Sequence, residues 1–199
     1  MTEIKAFNKW SVHGIEVKDL GLKDYISLNP KIVPRTGASY AKNRFYKSRV
    51  FIVERLMNKI MVPGHRGKKH KMTSGPKTGK SLQIYAIVEN SFRMVEQRTK
   101  ENPVKVLVKA IENAAPREEI ISIEYGGARY PKAVECAPQR RIDVALRHMT
   151  HGAFSKSFNA KKSYVECLTE EIMNAYYCLP ASNAVSKKLE LERQADGSR

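Results

Sequence analysis

Long apolar runs are missing from this chain of 199 residues. It holds no stretch of roughly 18 uncharged apolar residues, which excludes a membrane-spanning helix. The first residues, MTEIKAFNKW, carry neither an apolar core nor a small-residue cleavage site, so no secretory leader is expected. Cysteine is scarce. Cys136, Cys167 and Cys178 are odd in number and far apart, which argues against a disulfide framework and fits a reducing, cytoplasmic setting. No Ser/His/Asp order, paired carboxylates or nucleophile elbow stands out, and the cysteines have no base arranged beside them. Neither catalysis nor a cofactor nor a small-molecule substrate is therefore expected. Acidic residues are also in short supply: 20 Asp and Glu face 36 Lys and Arg, a formal net charge of +16. Hydrophobic residues make up 42%, enough for a core and too many for wholesale disorder.

A charge of this size speaks about partners rather than fold. Its placement is uneven. Residues 35–80 hold 13 bases against the single acid Glu54, and residues 139–165 hold six against Asp143. The rest of the chain is close to neutral. A surface built only for solubility would intersperse the signs. Uncompensated cations repel, and a polyanion relieves that repulsion while releasing condensed counterions. Nucleic acid is thus the expected partner. A membrane surface fits less well, because no basic segment has the apolar face of an interfacial helix.

Residues 1–49 read as an extended, irregular arm, with Pro30, Pro34, Gly14, Gly21 and Gly37 and no sustained helical period. Trp10, Tyr25 and Tyr40 in this stretch suit either core pegs or stacking platforms. From Val50 the pattern turns helical: Val50, Val53, Met57 and Ile60 recur before Pro63 and Gly64. After a Gly/Lys/His-rich loop, a second helix is expected over about 81–99, with Tyr85, Val88, Phe92 and Val95 in one stripe. Asn102 is a candidate N-cap with Pro103 behind it, opening a third helix striped by Val104, Leu107, Ile111 and Ala114 up to Pro116. The period then changes from 3.6 to 2. Ile121, Ile123 and Tyr125, then Tyr130, Lys132 and Val134, flank a glycine-rich tip and predict a β-hairpin at about 119–136. Pro138 starts a fourth helix to about His151. Ser163 and Glu166 form a capping box for a fifth, with Val165, Leu168, Ile172, Ala175 and Leu179 as its stripe. A charged sixth helix runs from about Ala184 to Ala195. The expected fold is mainly α: a six-helix domain over 50–199 with a protruding β-hairpin and the arm before it.

The helix after Pro138 places Arg140, Val144, Arg147 and His151 on one face with Arg141 and His148 beside them, opposite Ile142, Ala145, Leu146 and Met149. Arg suits phosphate because its planar fork bonds two oxygens at once. His148 and His151 do not make a metal site, since nothing near them completes four ligands. Gly75 to Ser81 looks like a nucleotidase phosphate loop but has three residues between its glycines where four are needed. A basic loop on nucleic-acid backbone, with Lys80 at a helix N-terminus, fits it better. The tip residues Tyr125, Gly126, Gly127, Ala128, Arg129 and Tyr130 suit either insertion beside exposed bases or a plain turn with a Tyr–Tyr cross-strand pair.

Several long motifs, in order, carry a family resemblance: IVERLMNKIM (52–61), ENPVKVLVKAIENAAPREE (101–119), YGGARYPKAVECAPQRRIDVALR (125–147) and KKLELERQA (187–195). They resemble ribosomal protein S seven of the small subunit, most closely its archaeal and eukaryotic branch. The resemblance implies a helical domain bound to the 3′ major domain of small-subunit ribosomal RNA, organising the head of the subunit during assembly. Its hairpin and last helix would look toward the exit site, messenger RNA and E-site transfer RNA, next to platform protein eleven. The RNA-binding residues expected on these grounds are Arg35, Lys42, Arg44, Lys47 and Arg49 in the arm. To these add Arg66, Lys68, Lys69, Lys71, Lys77 and Lys80 in the loop, and Arg140, Arg141, Arg147, Lys156, Lys161 and Lys162 further on. Gly126, Gly127, Arg129, Tyr130, Lys187, Lys188 and Arg199 are expected near messenger or transfer RNA. The loop at 63–80 is longer than the family's usual one, and Tyr176 to Pro180 replaces a glycine-containing connection. An architectural DNA-bending protein with the hairpin as a minor-groove arm is the alternative, weakened by the hairpin's acidic balance.

Overall fold

The computed structural model describes residues 3–64 and 73–199. Among these, seven α-helices and one two-stranded antiparallel sheet follow the chain in order. Helix α1 (Leu20–Lys23) is a single turn capped by Asp19, too short to leave a periodic signal. Two 3₁₀ turns (Ser39–Lys42 and Tyr46–Arg49) lead into α2 (Ile52–Ile60). Then come α3 (Ser81–Thr99) and α4 (Pro103–Ala114). Asn102 caps α4 by accepting from the Val104 N–H, with Pro103 at the first helical position, as the sequence predicts.

Strands β1 (Glu118–Tyr125) and β2 (Ala128–Glu135) form the hairpin. Its two-residue turn places Gly126 at φ +58° and Gly127 at φ +81°, where side chains are strained. The register pairs Tyr125 with Ala128 and Ile123 with Tyr130. Tyr125 and Tyr130 therefore share a face but are offset diagonally. Of the two readings of the tip, the cross-strand Tyr–Tyr pair is present only as this diagonal, because the two-residue turn sets Tyr125 opposite Ala128.

Helix α5 (Pro138–Ser157) runs six residues past the expected end at His151. The extension carries Gly152, Ala153 and Phe154, all buried. A Cβ on Gly152 would lie 2.7 Å from the Asn183 Cβ and 3.0 Å from the Glu171 carboxyl, so glycine permits the close approach of the last helix. Helix α6 (Tyr164–Tyr176) starts at the Ser163–Glu166 capping box. Its end is held without glycine: Cys178 adopts φ +57°, and Asn113 Nδ2 donates to the Ala175 and Tyr176 carbonyls at 3.0 and 2.8 Å. Leu179, placed in the apolar stripe by the sequence, lies beyond the helix and is exposed. Helix α7 (Asn183–Asp196) completes the chain.

Helix α6 packs against α3, α4, α5 and α7, and α7 lies across α5 and β1. The core gathers Ile52, Leu56 and Ile60 with Ile84, Val88 and Phe92, and adds Leu107, Ile111, Ile142, Leu146, Met149, Leu168 and Ile172. Ala6, Phe7, Trp10, Val12, Leu22 and Ile26 belong to this same core. Phe7, Trp10 and Phe92 form a triangle with 5.8 Å between ring centroids, and Trp10 Nε1 donates to Glu96 at 3.0 Å. Part of the arm expected over residues 1–49 is thus packed onto the helical domain. Residues 6–26 are integrated by their apolar side chains despite having almost no regular structure, and Trp10 is a core peg. The mainly α architecture with a protruding hairpin stands as expected.

Candidate nucleic-acid interface

Helix α2 turns Ile52, Leu56 and Ile60 inward, which leaves Arg55 and Lys59, four apart, on its α5 side. Helix α5 crosses α2 and presents Asp143 to them. The 3₁₀ turn at Tyr46–Arg49 brings Lys47 to the same carboxylate. Asp143 accepts from Lys47 Nζ at 2.8 Å and Arg55 at 3.3 Å, and lies 3.8 Å from Lys59 Nζ. Arg55 also donates to the Tyr25 carbonyl at 3.0 Å. Burial alone would raise the Asp143 carboxyl, but the Lys47 bond and the Lys59 and Arg55 charges outweigh it and hold the group below its ordinary value. Lys59 is pushed down by burial, against the pull of Asp143 and with repulsion from Lys47 and Arg147.

Around this cluster opens a groove of about 1100 Å³, walled by α2, α5, the start of α7 and the 40–50 segment. Lys47, Arg55, Lys59, Arg147 and Lys187 line it, with Asp143 as the single acid. A smaller groove of about 340 Å³ continues past Arg44 and Arg140, sharing Lys47, Asp143 and Arg147. Arg147 is exposed and has no acidic partner among the described residues. Arg44, Lys47, Arg55 and Lys59 of the first basic stretch thus converge with Arg140 and Arg147 of the second on one surface.

The other expected residues divide into several groups. Arg35, Lys42, Arg44 and Arg49 are exposed, with Arg44 and Arg49 lying over the Phe45 and Tyr46 rings at 5.9 and 4.7 Å. Arg140 stands at the second groove but pairs with Glu119 at 2.7 Å. Arg141 is only 9% exposed. It donates to Asp19 at 2.7 Å and to the Pro116 carbonyl at 3.0 Å, tying α1 and the hairpin root to α5. The expectation that it meets RNA is corrected: one step around the helix from Arg140 turns it inward. Lys77 is likewise turned in, its ammonium 2.9 Å from the Tyr164 ring centroid with no hydrogen-bond acceptor among the described residues, and burial lowers it to about 8. Lys156 pairs with buried Glu171 at 2.9 Å and Lys162 with Glu170 at 2.7 Å, whereas Lys80 and Lys161 are exposed. Arg66, Lys68, Lys69 and Lys71 lie outside the described residues.

Gly126, Gly127, Arg129 and Tyr130 sit together at the exposed hairpin tip, where Arg129 faces Glu124 at 3.5 Å. Lys187, Lys188 and Arg199 are elsewhere: Lys187 at the main groove, Lys188 on the Asn113 carbonyl at 2.9 Å, Arg199 on Glu118 at the hairpin base. Arg55 and Lys59 are site residues that the apolar stripe of α2 concealed; their spacing of four was the available signal. Burial, aided by Glu119, pushes the Cys136 thiol up to about 11, which leaves it protonated and inert. No helix among the described residues is long and apolar enough to cross a membrane.

A cation-lined groove on a helical scaffold, with Asp143 as its one acid, is the kind of surface that suits a polyanion. The model of the family Ribosomal protein S7p/S5e matches residues 22–199, and the chain belongs to that family. A protein of Nanoarchaeum equitans called small ribosomal subunit protein uS7 is 51% identical over 197 residues, covering 99% of this chain and all of the relative. The protein of the same name from Methanothrix thermoacetophila is 45% identical over 196 residues, covering 98% of this chain and all of the relative.

Proposed function

We propose that this chain is a non-catalytic structural constituent of the small ribosomal subunit, which binds the 3′ major domain of the subunit's RNA and organises the head during assembly. The observation that carries the reading is the convergence of Arg44, Lys47, Arg55, Lys59, Arg140, Arg147 and Lys187 on two adjoining grooves lined by the single acid Asp143, with Arg140 also paired to Glu119 and Lys187 to Glu190. Such a surface neutralises phosphates where RNA strands crowd together, and its rigid α2–α5 crossing holds the cations at set distances before RNA arrives. Phosphate contacts of this kind set orientation and register. RNA shape then supplies much of the discrimination.

Membership of the S7p/S5e family and the names of both relatives support a place in the small subunit, and so a cytoplasmic, ribosome-bound chain. On the same reading the hairpin tip, near neutral and aromatic, faces messenger RNA and E-site transfer RNA beside platform protein eleven. A DNA-bending role is less well supported, because Glu118, Glu119, Glu124 and Glu135 oppose any phosphate along the hairpin. The test compares affinity for a head-junction ribosomal RNA and for duplex DNA of equal length at matched salt. Tighter RNA binding is expected, and tighter DNA binding overturns the proposal.

A further inference from the structure

The main groove is larger than a phosphate requires, and its lining is not cationic alone. Val50, Thr150, Asn58 and Asn183 line it together with the half-buried ring of Tyr40. Asn183 spends its Nδ2 on the His148 carbonyl at 3.0 Å, which leaves its oxygen as an acceptor. Thr150 donates to the Arg147 carbonyl at 2.9 Å and likewise keeps acceptor capacity. Arg55 lines the groove while only 3% exposed, its guanidinium held by Asp143 and the Tyr25 carbonyl.

These features share one explanation. We infer that the groove takes an unstacked nucleotide of the RNA: the base enters against Tyr40, Asn58 and Asn183, while its phosphate stays at the rim by Lys59 and Arg147. This rests on the proposed RNA-binding role and extends it from shape recognition to the reading of a single base. The volume, about 1100 Å³, lies just above the usual range of small-ligand pockets and admits a nucleotide with room for its neighbours' backbone. Amide side chains offer a donor and an acceptor on one planar group, the pairing that base edges present. Rim cations alone would give affinity without preference among bases.

The experiment measures binding of the full chain to RNA octamers of equal charge, each of the four homopolymers and an abasic strand, at one fixed salt concentration. At least one base-bearing octamer should bind about tenfold tighter than the abasic strand, the scale of stacking one base on a protein ring. In Asn58→Ala that difference should shrink, with the melting temperature checked to show that the variant folds. Equal affinity of the abasic and all base-bearing octamers overturns the inference from the wild-type chain alone. Head-junction RNA binding retained alongside that equality would remove the base pocket and leave the proposed function standing. Loss of both would remove the function as well.

Discussion

Replacing Asp143 by Asn removes one negative charge from the middle of the groove while keeping the side chain's shape. Asp143 is 15% exposed at its side chain and Arg55 only 3%, so the variant leaves a buried guanidinium without its counter-charge. Removing one partner of a buried pair costs about 3–5 kcal/mol. Lys47 and Lys59 are each about one-third exposed and regain water, so their pairs count as surface bridges worth little. The low end, about 3 kcal/mol, is therefore expected, or a fall in melting temperature of about 6–12 °C for a chain of this size. The acid dependence should change in parallel. The Asp143 carboxyl is held below its ordinary value, so its stabilisation is complete above about pH 4 and disappears as pH falls through the folded-state pKa. D143N should lose that part of the acid limb. RNA affinity should move the other way, because Lys47 and Lys59 are released to phosphate, steepening the salt dependence by about one counterion. Thermal melts from pH 3 to 7 and binding at several salt concentrations read both effects. A variant as stable as the parent, or one with a shallower salt slope, would refute the role given to Asp143.

Three further substitutions test other parts of the structure. Arg141→Ala should cost about 1–3 kcal/mol in denaturant unfolding, because it leaves the Pro116 carbonyl without its donor and Asp19 with only the Gly21 N–H, while the salt slope for RNA stays unchanged. Trp10→Ala should cost about 3–5 kcal/mol by opening a hole beside Phe7 and Phe92, whereas a solvent-exposed arm would lose almost nothing. Lys77 has a folded pKa of about 8, below its unfolded value of about 10.4, so the unfolded chain binds more protons between these limits. Stability should therefore gain a contribution from Lys77 as pH rises from about 8 to 10, and Lys77→Met should remove that gain in melts across the range.

Periodicity and capping made most helices readable before any coordinates. Asn102 with Pro103, and Ser163 with Glu166, mark starts by hydrogen bonds confined to a few residues, so the sequence alone reports them. The hairpin was legible for the same reason, its Gly126-Gly127 turn being local. What escaped depends on distant partners. Trp10 reads as a loop aromatic until Phe92, more than eighty residues later, is seen to cover it. Helix α5 continues past His151 because Gly152 admits α7, a fact that belongs to the Asn183 side of the contact. Arg140 and Arg141 look equivalent in the sequence, and only the position of Asp19 decides that Arg141 faces inward. The groove itself is a meeting of Lys47, Arg55 and Asp143 across 96 and 88 residues of chain. Charge placement revealed that two segments were cationic, but not which of their cations share one surface.

The most direct measurement is the salt dependence of head-junction RNA binding for Arg147→Ala beside the parent chain. Arg147 borders both grooves, is exposed and has no acidic partner among the described residues, so its loss should leave the fold intact. The account predicts weaker binding with the slope reduced by about 1. Unchanged affinity and slope would contradict it, placing the RNA on some other face of the protein.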